Sequence, residues 1–544
     1  MGKGTVTGGM APETLIRDAR IVDGTGAPWY RGDLIISDGK ILRIGHGLRA
    51  ASDAEIVDAG ERYLAPGFID AHCHDDLIFL REGSRTEKAM QGVTSIVVGN
   101  CSFSLYPSTP ASAPMLRDHF AGLLGETADS EIFGDLDGYR KALEGEGIAL
   151  NLVSLVGHAA LRLAVMGFDR RPAGPGEIEA MCVLLGEQLR QGACGLSLGL
   201  VYPPSAFADE AELVALAKTV AAHGKLLAAH IRSYEAGLFG AIEEFGGLLR
   251  LSGAAGLLSH LQSAGKPNWG KIPRAIERLE AMREEGIDIS FDMYPYPAGS
   301  TWLLQLLPPA VMDGGLDGLK RRLADPTTCA IIHDWVENGG QAFPGDSKVN
   351  LIGWENVRLS AIGVAELKHL EGSDMGGAAQ VLGITPFDLM LRFISEDSGQ
   401  TGIILFQLDE ADLHAACCNR LYMAGSDGLP RPGSKPHPRA SGTFPRIAGT
   451  LRRDKKWFSL EDAVRRMTSV AAQRFQLHDR GLIRPGLAAD LVLFEDAISD
   501  RATFQDSTQL ATGISHLWVN GGAVIRDGRQ TGTRPGRVIG ALQG

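Results

Sequence analysis

Gly195-Leu196-Ser197-Leu198-Gly199-Leu200, then Leu226-Leu227-Ala228-Ala229-His230, then Gly256-Leu257-Leu258-Ser259-His260 are three short apolar runs at near-equal spacing. Between the first two lies an Ala/Leu/Glu-rich stretch, 209–223, with the apolar spacing of a helix. Short apolar runs alternating with helices are the mark of parallel strands buried on both faces. The pattern extends in both directions. Runs at 67–74, 93–100 and 149–158 precede it, and 287–294 and 421–427 follow, with a further helix expected over 272–285. Eight strands alternating with helices predict an α/β chain folded as a (β/α)8 TIM barrel. Such a barrel presents reactive side chains at the C-terminal ends of its strands. Here those ends carry His72, His74, Cys101, His158, His230, His260, Tyr294 and Asp427.

Both ends of the chain have a different texture. Leu15-Ile16, Ala19-Arg20-Ile21-Val22, Asp33-Leu34-Ile35-Ile36 and Ile41-Leu42-Arg43-Ile44 are short strands separated by turn pairs such as Asp38-Gly39. Asp490-Leu491-Val492-Leu493-Phe494, His516-Leu517-Trp518-Val519-Asn520 and Ala523-Val524-Ile525-Arg526 repeat that texture at the other end. The reading is one small β-sandwich domain built from residues 1–66 and 480–544, around a barrel of 67–479; two unrelated β caps are the plainer alternative. Between the seventh and eighth strands, Pro308-Pro309, Gly314-Gly315 and Gly339-Gly340 break the alternation, so residues 298–377 are read as an inserted subdomain.

Composition agrees with a large buried core. The 544 residues are 44% hydrophobic and 22% charged, which excludes disorder. A net charge of −12 argues against nucleic acid or an anionic membrane surface as partner. Glycine, at 69 residues, is nearly twice its usual share of about 7%, as expected of many tight turns. Seven cysteines do not make a disulfide scaffold and point to a reducing cytoplasm. The first twenty residues lack a signal-peptide apolar run, and no segment has the length of a membrane span.

In Asp70-Ala71-His72-Cys73-His74, the two histidines share a strand face and Cys73 points away. Two imidazoles at a strand end suit a divalent metal, although the same pair also arises on solvated strands. His230 and His260 each end an apolar run; either a metal or ordinary buried hydrogen bonds would account for them. Cys101 puts a thiol at a corresponding position, and one thiolate with two imidazoles is a good zinc set. Cys194 precedes its strand and belongs to the wrong end. Asp427 can move a proton to a leaving group, or merely cap the Asp427-Gly428 turn. The proline-rich stretch 428–446 carries Arg431, Lys435, His437, Arg439 and Arg446, suited to clamping a carboxylate over the barrel mouth or simply to facing solvent.

Pro66-Gly67-Phe68-Ile69-Asp70-Ala71-His72-Cys73-His74 resembles the opening barrel strand of the amidohydrolase superfamily. Val97-Val98-Gly99-Asn100-Cys101, His230-Ile231-Arg232-Ser233, Asp292-Met293-Tyr294-Pro295-Tyr296, Ser426-Asp427-Gly428, His437-Pro438-Arg439 and Thr443-Phe444-Pro445-Arg446 resemble, more narrowly, the N-acyl-D-amino-acid deacylases (D-aminoacylases). The resemblance runs in order over nearly the whole chain. It implies a zinc-dependent enzyme hydrolysing the amide bond of N-acyl amino acids. It implies a tight zinc on Cys101, His230 and His260, a weaker second site at His72 and His74, and Asp427 as general base and then acid. Arg439, with Tyr294, matches the position that binds the substrate carboxylate. The superfamily's metal-bridging lysine of the fourth strand is missing from 192–200, which suits a cysteine-based site. Gln262 stands where the deacylases often carry a lysine, so a neutral amide replaces a cation beside the substrate. The alternatives are another amide (N-acyl-L-amino acid, ε-acyl-lysine, unusual dipeptide or cyclic amide) or a non-catalytic scaffold.

Overall fold

The computed structural model describes residues 13–540, so the outermost ends of the expected terminal domain lie outside the described residues. The barrel strands are β1 (Phe68–Asp70), β2 (Val93–Val98), β3 (Asn151–Ser154), β4 (Gly195–Gly199), β5 (Leu226–His230), β6 (Ala255–Leu258), β7 (Ile289–Met293) and β8 (Tyr422–Ala424). All eight are parallel to their neighbours where they pair, and nearly every residue in them is buried. The ring closes where the Ala71 N–H donates to the Ala424 carbonyl at 3.2 Å, and where the Cys194 N–H donates to Ser154 at 2.9 Å. Helices cover the outside. Glu210–Ala222 starts where the Asp209 carboxylate accepts the Glu212 N–H, and Ile272–Glu284 carries a proline in its first turn, so both begin within a residue of the expected positions.

Strands from the two chain ends join in one nine-stranded sheet. Leu491–Ser499 pairs antiparallel with Tyr63–Pro66, which runs beside Thr14–Ile21. The sheet curls over a core of its own, including Ile16, Leu34, Leu64, Leu493 and Trp518. Both chain ends thus contribute strands to one β domain, and its core draws on both, as Leu64 and Leu493 show.

The chain leaves the barrel after β7 and forms a three-stranded antiparallel sheet, ordered Gly299–Trp302, Gly402–Leu405, Val357–Ala361. Helices including Pro326–Asn338 and Pro386–Glu396 enclose a separate core around Trp335, Leu359, Phe387 and Ile403. The central strand of this sheet lies at Gly402–Leu405, beyond the expected end of the insertion at 377. The reason is local: Pro386–Glu396 followed by an apolar run has the same pattern as a barrel helix and strand. The barrel resumes with Glu410–Cys418, which packs on Ile272–Glu284.

Candidate metal centre and active site

Each chemically competent side chain enters the barrel mouth from the end of a strand. His72 and His74 follow β1, Cys101 follows β2, His230 closes β5, His260 follows β6 and Asp427 follows β8. Three of them sit on left-handed backbone, with φ of +53° at Cys101, +37° at His260 and +47° at Asp427. Residues other than glycine rarely adopt this region, and its cost is held where the surroundings over-determine the geometry. The Cys101 turn is fixed by Ser197, whose hydroxyl accepts the Ser102 N–H and donates to the Gly99 carbonyl. Gly199 lets β4 approach that turn, because a Cβ there would lie 2.2 Å from the Cys101 carbonyl oxygen.

Two groups of candidate ligands meet at His72. Cys101 Sγ lies 3.3 Å from His72 Nε2 and 3.5 Å from His260 Nε2. Asp427 Oδ1 lies 3.5 Å from His72 Nε2 and 3.2 Å from His74 Nε2. His230 belongs to neither group, but its ring centroid is 4.5 Å from that of His260. Thus the thiol that was expected with His230 and His260 is gathered here with His72 and His260. The competing Cys194 packs against Leu226, Leu257 and Ala471 on a separate part of the core. His158 is also elsewhere, bonded to Glu212 Oε1 at 2.7 Å beside Arg162.

These residues fit a divalent metal. Nδ1 of His74, His230 and His260 is buried without a hydrogen-bond partner, an unusual waste for three adjacent imidazoles. Burial pushes His260 down to about 4 and His230 well below the usual value, which keeps both neutral and able to ligate. Burial also pushes the Cys101 thiol up to about 11. A thiolate there needs a cation beside it, as metal binding provides. Burial alone would lower His72, but Asp292 and Cys101 outweigh it and raise the imidazole well above its usual value.

Asp292 was given no role in the sequence reading. Its carboxylate lies 3.2 Å from His72 Nδ1 and accepts the His260 N–H at 2.9 Å, so it orients two candidate ligands. The available signal was its place two residues before Tyr294 on the same strand face.

Asp427 is 8% exposed, which makes its charge state a property of its neighbours. Burial alone would raise it; Arg439 and then His72 outweigh burial and hold it well below the usual carboxylate range. Arg439 Nη1 lies 2.9 Å from Asp427 Oδ2, and the guanidinium sits over the Tyr294 ring at 4.4 Å. Tyr294 donates to Gln262 Oε1 at 2.8 Å, so the three expected substrate-binding residues line one recess with Asp427. The other cations of the proline-rich stretch do not face it. Arg431 donates to the carbonyls of Gln400 and Gly122, Lys435 to Glu371, and Arg446 to Pro295. They tie the insertion and the barrel loops together, and Arg439–Arg446 is helical rather than loop.

The chain is similar over nearly its whole length to known deacylases. Residues 419–525 match the model described as "Amidohydrolase family". The chain is 35% identical to an N-acyl-D-glutamate deacylase of Alcaligenes xylosoxydans xylosoxydans over 528 residues, covering 97% of this chain and 96% of that protein. It is also 35% identical to a D-aminoacylase of the same organism, covering 97% of each. Among solved structures, the N-acyl-D-glutamate deacylase of Bordetella bronchiseptica, complexed with zinc and a phosphonate mimic of the tetrahedral intermediate, superposes with a TM-score of 0.83. That structure is 32% identical, covering 98% of this chain and 100% of that one.

Proposed function

The chain belongs to the D-aminoacylase group of the amidohydrolases, and from that premise we propose that it hydrolyses N-acyl-D-amino acids to a carboxylate and a free D-amino acid. The observation that carries the reading is Asp427: an ionised carboxylate held between two imidazoles and a buried guanidinium, at the mouth of a barrel whose neighbouring strand ends bear a thiol.

Cys101 and His260, with His72 or His230, would hold the tight zinc, and His72 and His74 with Asp427 a weaker second one. Zinc bound there supplies Lewis-acid polarisation of a carbonyl and lowers the pKa of water from 15.7 to about 7. Asp427 takes the proton of the attacking water at Oδ1 and returns it to the departing amide nitrogen. Arg439 keeps Asp427 ionised before the reaction and offers its remaining N–H groups to the substrate carboxylate, with Tyr294 as the supporting face. Gln262 holds the Tyr294 hydroxyl and adds an amide contact without charge. Asp427 and Arg439 are both buried, which strengthens the interaction between them.

A hydrolysis screen over N-acyl-D- and N-acyl-L-amino acids, ε-acyl-lysine, dipeptides and cyclic amides tests the reading. The D series is expected to be cleaved preferentially. Asp427→Asn is expected to keep its zinc and lose on the order of 10²–10⁴-fold in kcat; substantial turnover in that variant removes Asp427 from the role. All seven cysteines are unpaired, which supports a reducing compartment, the cytoplasm. Among the described residues no helix is long and apolar enough to cross a membrane.

A further inference from the structure

The recess over Cys101 and Asp427 holds only about 60 Å³. A typical small-molecule pocket is roughly 300–1,000 Å³, so most of the substrate must lie beyond this recess. Val201 and Gln305 border it and two larger cavities, of about 640 and 680 Å³, the second of which also shares Glu235 and Lys348 with it. Their linings differ. The smaller of the two, between the helix Ala113–Leu124 and the start of the insertion, is walled by Met115, Phe168, Trp302, Leu304, Leu307 and Met312. Its charged residues, Asp118, Asp169, Asp317 and Lys320, are all exposed and form an outer rim. The other cavity carries Arg170 and Arg171 and two ion pairs, Lys348–Glu235 at 2.7 Å and Arg232–Glu244 at 2.9 Å.

An aromatic wall leads from the metal centre into the Trp302-lined cavity. Tyr202 sets its edge against His230 at 4.7 Å between centroids and stacks on Trp302 at 5.1 Å. The position in the barrel puts both cavities, which share Val201, across the mouth from Asp427. Val201 follows β4, whereas Asp427 follows β8, and the fourth and eighth strands of an eight-stranded ring face one another.

A substrate with its carboxylate on Arg439 therefore directs its acyl end towards Val201. Resting on the deacylase reading above, we infer that the Trp302-lined cavity is the acyl subsite and that the preferred acyl group is a medium-to-long hydrocarbon chain with an uncharged end. Each methylene buried there favours binding by about fourfold. The rim, with three carboxylates to one ammonium, repels a chain ending in a second carboxylate.

The test measures kcat/KM of the zinc-loaded enzyme on N-acetyl-, N-butanoyl-, N-octanoyl- and N-suberyl-D-leucine. From acetyl to octanoyl, kcat/KM is expected to rise at least about 100-fold, mostly through KM, and to fall back with the suberyl group. Met312→Trp fills the far wall and is expected to remove at least about tenfold of the octanoyl gain while acetyl stays within about twofold. Ala310→Trp, in the charged cavity, is expected to alter neither. A profile flat with chain length, alongside normal cleavage of the acetyl substrate, overturns the acyl subsite and leaves the deacylase reading intact. So does loss of the gain in Ala310→Trp but not in Met312→Trp. If none of the four is cleaved, the deacylase reading falls and the acyl subsite falls with it.

Discussion

Asp292 governs two side chains that arrive from different strands. Its carboxylate lies against His72 Nδ1, which orients that ring, and accepts the N–H of His260, which pins the strained backbone there. Removing such a partner of a ligating histidine commonly costs about 10–100-fold in metal affinity. Asp292→Ala is therefore expected to weaken zinc by that order in a competition titration with a chromogenic chelator, with the α/β circular dichroism unchanged. Affinity equal to that of the native chain would remove Asp292 from the centre. The candidate residues that meet at the barrel mouth, His72, His74, Cys101, His230, His260 and Asp427, were legible in the sequence because each ends an apolar run. Asp292 was marked only by its place on the strand face of Tyr294, since its two partners follow β1 and β6, far from it in sequence. The choice of which imidazole joins Cys101 was equally hidden, because it depends on ring positions rather than on spacing.

At the level of elements, the first and last barrel strands are joined by a buried charge. Lys88 is fully buried, with Nζ 2.5 Å from Asp70 Oδ2, 2.8 Å from Ser426 Oγ and 3.4 Å from Asp75. Asp70 lies two residues before His72 on the strand side, and Ser426 immediately precedes Asp427, so this cluster sets how the two catalytic ends face each other. Lys88→Met leaves the Asp70 carboxylate buried without its cation, a loss of about 3–5 kcal/mol. Its thermal midpoint is expected to drop by several degrees, and Lys88→Met with Asp70→Asn is expected to recover part of the drop. A double variant no better than the single one would deny the coupling. Strand and helix positions were readable from periodicity, but two elements were not. The Gly402–Leu405 strand mimics a barrel strand, and three cations of the proline-rich stretch, Arg431, Lys435 and Arg446, donate to carbonyl groups far away in sequence instead of facing the site. A charge run shows that cations are present; only folding shows what they face.

For the molecule as a whole, a metal held by the proposed ligands would act as a clasp among β1, β2, β6 and β8. A ligand that binds only the native state at about 1,000 times its Kd adds about 4 kcal/mol of stability. Stripping zinc with dipicolinate is expected to lower the thermal midpoint, re-addition to restore it, and Cys101→Ala to be indifferent to both. A midpoint unaffected by chelation in the native chain would mean that the fold does not use the metal. The glycine excess finds its place at this scale, in the turns that a barrel, a sheet and an insertion require together. The net charge of −12 bears on solubility and excluded partners, whereas the chemistry depends on a few buried charges.

The sheet shared by the two termini also has a consequence in time. During synthesis Tyr63–Pro66 emerges early, yet its partner Leu491–Ser499 leaves the ribosome only near the end. At about 5–20 residues per second that is a wait of some tens of seconds, with an apolar strand edge open to any passing chain. Pairing of Leu491–Ser499 with Tyr63–Pro66 is thus the step that closes this edge.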